Sequence, residues 1–328
     1  MGNLYKKISI IGAGTWGIAI ASHLSSCAKI EIFHYNNNSL RKIQQENKHP
    51  NIKNFIIPDS IVYSYSNKID SDLCVIAVPV QNIKSVIEKY KIEETMPILI
   101  LSKGIENETL NFPLNLLLDC GFKKESIAIL SGPSHAEQVI VKHPTSVVVS
   151  SDNQNLSLDM QELFSNSHFR VYLNSDIIGV QIGGAVKNVI SIASGIVEGL
   201  GYKENTTSAL LSRGLHEIKK LGFALNAKED TLNGLAGLGD LMATAFSGHS
   251  RNRQVGINIA KGVSAEKTIE QMNMNAEGVS TSKSLYELAK KYKIEMPICA
   301  NVYEIIYNNK DPKVAIDELM NRELRSEF

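Results

Sequence analysis

Four short apolar runs, separated by stretches of helix length, constrain this chain more than any other feature. Ile8-Ser9-Ile10-Ile11, Ile30-Glu31-Ile32-Phe33, Leu73-Cys74-Val75-Ile76-Ala77-Val78 and Ile98-Leu99-Ile100-Leu101 are rich in β-branched residues, as strands of a parallel sheet buried on both faces must be. Segments such as residues 15–26 and 81–90 fall between them with helix length. This βαβα rhythm predicts a doubly wound α/β sheet. Further strands are expected at residues 127–130 and 146–149, around a short helix near Ser134, followed by a helix over 155–164 and a strand over 169–173. After Asn174 the β rhythm stops and nearly every segment reads as helix, with turns expected at Gly201, Gly222, Gly234 to Gly239 and Pro297. The expected organisation is a Rossmann domain over residues 1–175 and an all-α domain over 176–328. The 328 residues exceed the size at which a single core usually stops growing.

Lysine plus arginine equals aspartate plus glutamate at 34 each, so no overall field draws the chain to nucleic acid or an anionic membrane. Cys27, Cys74, Cys120 and Cys299 lie far apart, without metal-ligand spacing; they read as reduced thiols of a cytoplasmic protein, and no metal site is expected. The N-terminus passes into a strand without the apolar run of a signal peptide. The most apolar stretch, residues 177–197, has the length of a membrane span, but Gln181, Lys187 and Asn188 stand near its middle. A helix buried in protein is expected there, not membrane insertion.

Gly12-Ala13-Gly14-Thr15-Trp16-Gly17 follows the first strand and opens the first helix. Glycines in G-x-G-x-x-G permit a tight turn and close approach of a pyrophosphate to the positive end of the helix. At the end of the second strand an acid would favour NAD and an arginine NADP, but Phe33-His34-Tyr35-Asn36-Asn37-Asn38 contains neither. The choice stays open, and His34 reads equally as a ribose contact or a surface residue. Lys103, in Ser102-Lys103-Gly104, closes a strand at the carboxyl edge of the sheet and reads as a phosphate or carbonyl contact, or as a solvated lysine. Ser131-Gly132-Pro133-Ser134 offers small residues beside a nicotinamide, with Ser134 placed to cap the next helix. Lys187, in Gly183-Gly184-Ala185-Val186-Lys187-Asn188, is the sole charge between Asp176 and Glu198. Burial would lower its pKa and suit it to proton transfer; the alternative is a lysine snorkelling to the surface. Asp240, Thr244, Ser250, Arg251 and Asn252 follow the glycine loop 234–239 and combine groups for a hydroxyl and a phosphate.

These motifs resemble the bacterial NAD(P)-dependent glycerol-3-phosphate dehydrogenases, from about residue 8 to 297. GGAVKN combined with AGLGDL and SRN is the specific part; the nucleotide fingerprint alone is common. The resemblance implies reversible reduction of dihydroxyacetone phosphate to sn-glycerol-3-phosphate for phospholipid synthesis, with NADP or NAD, by a homodimer. It implies that Thr15 and Trp16 contact the cofactor beside Gly12, Gly14 and Gly17, with Tyr35 at the adenosine end. Lys103 would touch both cofactor and substrate, while Gly132, Ser134 and Ala136 line the nicotinamide side. Lys187 would be the proton donor and acceptor, and Asp240 and Thr244 would border the substrate. Ser250, Arg251 and Asn252 would bind its phosphate end, with Arg251 also near the cofactor, and Asn275 and Glu277 would reach the cofactor from the helical domain. Three departures stand out: Tyr35 in place of a histidine or arginine, His135 and Gln138 after SGPS, and Asn275-Ala276 where valines are usual. Two rival readings are a reductase of another small carbonyl acid such as ketopantoate and a non-catalytic nucleotide sensor.

Overall fold

The computed structural model describes residues 5–272, 275–324 and 326–327. Among them, eight strands form one sheet: β1 (Lys7–Ile11), β2 (Lys29–Phe33), β3 (Val62–Ser64), β4 (Leu73–Ile76), β5 (Ile98–Ile100), β6 (Ile127–Ser131), β7 (Thr145–Ser150) and β8 (Phe169–Asn174). Their spatial order is β3-β2-β1-β4-β5-β6-β7-β8. Neighbours run parallel except β6 and β7, which pair antiparallel with Ile129 opposite Ser150. The order reverses between β1 and β4, and doubly wound sheets bind ligands in the crevice beyond the carboxyl ends of such strands.

The helices of this half are α1 (Thr15–Leu24), α2 (Asn37–Glu46), α3 (Ile83–Tyr90), α4 (Pro113–Asp119), α5 (Ala136–Ile140) and α6 (Gln154–Phe164). They cover both faces of the sheet, so Ile8, Ile10, Ile18 and Ile20 are fully buried in one core and Ile76, Ile98 and Ile100 in another. Each such side chain contributes about 1.5–3 kcal/mol of transfer free energy, which is why the central strands β4 and β5 are wholly apolar. Three elements were not legible in the sequence: β3, α2 and α4. β3 has three residues at the sheet edge, one of them exposed, too few to show a period.

From Ile177 the chain is helical: α7 (Ile177–Gly199), α8 (Glu204–Ala224), α9 (Glu229–Asn233), a π-helical turn at Leu235–Gly239, α10 (Asp240–Phe246), α11 (Arg251–Ala260), α12 (Ala265–Met272), α13 (Glu277–Tyr292), α14 (Pro297–Tyr307) and α15 (Pro312–Met320). Helix α7 is long and apolar enough to cross a membrane, but 94 % of its most apolar window is buried inside the protein. It is the spine of the helical half. Helix α11 crosses it at backbone contact: a Cβ on Gly195 would lie 2.0 Å from the Arg253 carbonyl oxygen, and one on Gly256 2.0 Å from that of Ile192. That approach sets the start of α11 beside the middle of α7.

Two local expectations are corrected. Gly222 is no turn; α8 runs through it to Ala224, because a missing Cβ lets Leu232 pack where a side chain would stand at 2.4 Å. Ser134 does not cap α5: its hydroxyl donates to the Gly132 carbonyl at 3.0 Å, and His135 is the N-cap residue without a side-chain bond.

Candidate active site

The crevice at the β1/β4 reversal is built by glycines. Gly12 has φ +119°, and a Cβ there would stand 2.4 Å from the Ala77 carbonyl oxygen; one on Gly17 would stand 1.8 Å from that of Gly12. The loop is anchored by Gly12 N–H donating to the Phe33 carbonyl at 2.8 Å. Gly14 differs, because a Cβ there meets no protein atom within 4 Å and would project into the crevice. No side chain caps α1, whose N-cap residue is Gly14, so first-turn N–H groups at the positive helix end remain for a ligand. This open cradle fits a dinucleotide pyrophosphate. Thr15 is buried, and Trp16 packs partly against the core.

At the neighbouring strand ends, β4 stops at Ile76 instead of continuing to Val78 as the sequence suggests. Ala77 N–H still donates to the Ile11 carbonyl at 2.8 Å, and the Ser102 hydroxyl donates to the Val78 carbonyl at 2.5 Å, so the chain turns with its polar groups satisfied. One residue on, Lys103 Nζ donates to the Gly132 carbonyl at 3.2 Å and to Asp240 Oδ2 at 2.7 Å. Its stem passes Gly184 of α7, where a Cβ would come 3.4 Å from Lys103 Cδ and Cγ.

Asp240 joins two lysines. Its other oxygen accepts from Lys187 Nζ, which also donates to the Thr244 hydroxyl at 2.9 Å; that hydroxyl donates in turn to the Asp240 carbonyl at 2.7 Å. Lys187 is 7 % exposed and Asp240 1 %, so both are desolvated and compensated by one another, by Lys103 and by the Thr244 hydroxyl. Burial lowers the Lys187 pKa to about 8, with Asp240 opposing and Lys103 adding to the fall. Burial pushes Asp240 up, but the two ammonium groups win and hold it below its ordinary value. Two cations and one anion leave this trio with an excess positive charge, and a lysine whose pKa is lowered to about 8 is suited to proton transfer near neutrality.

Glu277 opens α13 and faces the same cluster: burial raises its pKa to about 7, against Arg251, Lys103, Lys187 and the Val80 amide. Arg251 is exposed at the start of α11, where the Ser250 hydroxyl accepts from Arg253 N–H at 3.2 Å. Asn252 is committed to the fold, since its Nδ2 donates to Asn188 Oδ1 at 2.9 Å and its Oδ1 accepts from Gly278 N–H at 2.9 Å. One amide hydrogen is left for a substrate. Gly132 and Ala136 lie on the β6 side, Asn275 is exposed, and Tyr35 is 70 % exposed at the end of β2. His34 is no phosphate cation: burial takes its pKa down to about 4, and its Nδ1 accepts from Ala13 N–H at 3.4 Å. What sequence reasoning missed is the bridge itself. Lys103 lies 137 residues and Lys187 53 residues from Asp240 in sequence, and no local pattern reports their meeting.

A switch-point dinucleotide cradle facing a lysine–aspartate–lysine cluster defines the site of a nicotinamide-dependent oxidoreductase. The comparisons make this specific. Residues 7–157 match the model of the NAD-dependent glycerol-3-phosphate dehydrogenase N-terminus, and residues 176–317 that of its C-terminus. Glycerol-3-phosphate dehydrogenase (NAD(P)+) of Clostridium botulinum (strain Alaska E43 / Type E3) is 42 % identical over 333 residues, covering 98 % of this chain and 99 % of that one. The enzyme of the same name from Fusobacterium nucleatum is 41 % identical, covering 98 % of each. The crystal structure of glycerol-3-phosphate dehydrogenase from Coxiella burnetii superposes with a TM-score of 0.90 at 32 % identity, over 96 % of this chain and 99 % of that one. The chain belongs to the NAD-dependent glycerol-3-phosphate dehydrogenase family. A probable 2-dehydropantoate 2-reductase from Bacillus subtilis, at 16 % identity and a TM-score of 0.56, shares the fold alone.

Proposed function

We propose that the cleft reduces dihydroxyacetone phosphate to sn-glycerol-3-phosphate, reversibly, in support of glycerophospholipid synthesis. The observation that carries this reading is the buried pair Lys187 and Asp240 with Lys103 at its side. When bound at the Gly14 cradle, the reduced nicotinamide supplies the hydride. Lys187 Nζ gives its proton to the carbonyl oxygen as negative charge develops there, and takes it back in the reverse direction. Asp240 and the Thr244 hydroxyl hold Nζ in place, so proton transfer needs no search. Lys103 adds fixed positive charge where the oxyanion and phosphate would lie. Arg251 supplies the planar fork that suits a phosphate dianion, joined by Ser250 and the remaining Asn252 amide hydrogen. Gly132, Ser134 and Ala136 border the nicotinamide side, and Thr15, Trp16, Asn275 and Glu277 the dinucleotide.

The test offers the purified protein dihydroxyacetone phosphate, unphosphorylated dihydroxyacetone and ketopantoate in turn, with NADPH or NADH, and follows loss of the reduced nicotinamide. Turnover confined to the phosphorylated ketone is expected; turnover of ketopantoate alone would overturn the reading. We place the enzyme in the cytoplasm, which its four cysteines, none in a disulfide, support, as a homodimer to be checked by analytical ultracentrifugation.

A further inference from the structure

The second strand ends without the charged residue that would select between the two dinucleotides, and its neighbours do not make up the deficit. His34 is neutral, as above. Asn36 Oδ1 is spent capping α2, accepting from Asn38 and Ser39 N–H at 3.0 Å each. Arg41 is drawn outward, its guanidinium 5.6 Å above the Tyr65 ring just beyond β3, on the side of β2 away from the crevice.

Helix α3 comes from the other direction. It follows β4, across the reversal point, and its last turn docks on the end of β2. Tyr90 is buried, sets its ring edge-on to Phe33 at 5.3 Å, and donates its hydroxyl to the His34 carbonyl at 3.0 Å. That fixes the preceding residue. Lys89 Nζ reaches the Tyr35 carbonyl at 3.4 Å and lies 5.1 Å from the Tyr90 ring centre, while the side chain stays exposed. A cation from a segment 54 residues away in sequence thus stands at the strand end where doubly wound folds read the 2′ position of the adenosine ribose.

We propose that Lys89 is the specificity-determining residue for the dinucleotide, pairing with a 2′-phosphate and conferring a preference for NADPH over NADH. The proposal rests on the dinucleotide reading of the Gly14 cradle. Lys89 contributes a point charge in a solvated setting, so the selectivity it confers is about tenfold, below that of a buried bidentate arginine.

The test is calorimetric titration of wild type and Lys89→Gln with NADP+, NAD+, 2′,5′-ADP and 5′-ADP, followed by kcat/KM for NADPH and NADH. In the variant, NADP+ and 2′,5′-ADP are expected to bind about tenfold more weakly, with NAD+ and 5′-ADP within about twofold of wild type. Raised salt should weaken NADP+ binding more in wild type than in the variant. Equal weakening of NADP+ and NAD+, or no change in either, overturns the assignment of Lys89 while leaving the cradle intact. Failure of wild type to bind either dinucleotide overturns the cradle reading and this proposal with it. Exposure of Lys89 makes a folding defect an unhelpful explanation, and far-ultraviolet circular dichroism of the variant checks it.

Discussion

Replacing Asp240 with asparagine keeps the shape of the cluster and removes the one anion between two ammonium groups. Two unit charges about 4 Å apart attract by about 4 kcal/mol at an effective dielectric of about 20, or roughly three pKa units. The amide oxygen of the substituted side chain would still accept one hydrogen bond, so we take a fall of about one to two units for Lys187. Starting from about 8, its pKa then lies at about 6–7. The protonated fraction at about pH 7.5 drops from about three-quarters to between about 3 and 25 %. With Lys187 as the proposed proton donor, reduction needs its protonated form, so activity in that direction should fall as pH rises through the Lys187 pKa. In Asp240→Asn the descending limb of kcat/KM against pH should move acidward by that amount, with partial recovery of activity at low pH. A limb that stays near its wild-type position, or a loss equal at every pH, would refute the coupling of Asp240 to Lys187. Thermal unfolding of the variant is needed alongside, because unpairing buried charges costs about 3–5 kcal/mol.

Gly14→Val places its Cβ where the protein has no atom within 4 Å, so stability should fall only by the roughly 1 kcal/mol that valine costs at an N-cap position, while dinucleotide affinity, read by calorimetry, falls by more than about tenfold. Arg251→Ala should lower kcat/KM for dihydroxyacetone phosphate by about ten- to a hundredfold and barely change trace turnover of dihydroxyacetone, since a charged hydrogen bond to phosphate contributes about 1.5–3 kcal/mol. Glu217 is a buried carboxylate that caps α14 from α8, accepting from Ile298 N–H at 2.7 Å and Cys299 N–H at 3.1 Å; Glu217→Ala should cost about 1–3 kcal/mol in urea unfolding. Burial raises the Glu217 pKa, so its contribution is greatest below the ordinary glutamate pKa and declines as pH rises through the folded value; the penalty of the substitution should shrink in that direction.

The first strands were legible because burial on both faces favours apolar residues, as Leu73 to Ile76 show throughout and Ile8 to Ile11 show at every position but Ser9. The glycines of the cradle were legible because their spacing is local. Lys187 could be found as one charge on an otherwise apolar helix, and its burial follows from that pattern. The partners were not legible. Asp240 meets Lys103 and Lys187 only through the crossing of α7, α10 and the β5 edge, and Lys89 meets the end of β2 only through the docking of Tyr90. Residues such as Asn252 read as phosphate ligands from type and neighbourhood, yet the structure spends most of Asn252 on holding α7 and α13 together. Sequence identifies which groups are present; the fold decides which are already engaged.

The measurement that bears most directly on the central claim is the single-turnover rate of dihydroxyacetone phosphate reduction by wild type and Lys187→Ala, with dinucleotide affinity measured on the same preparations. If Lys187 is the proton donor, the rate falls by roughly 10² to 10⁴ while dinucleotide affinity stays near its wild-type value. A variant that reduces the substrate at close to the wild-type rate, or that loses activity only through weaker dinucleotide binding, would contradict it.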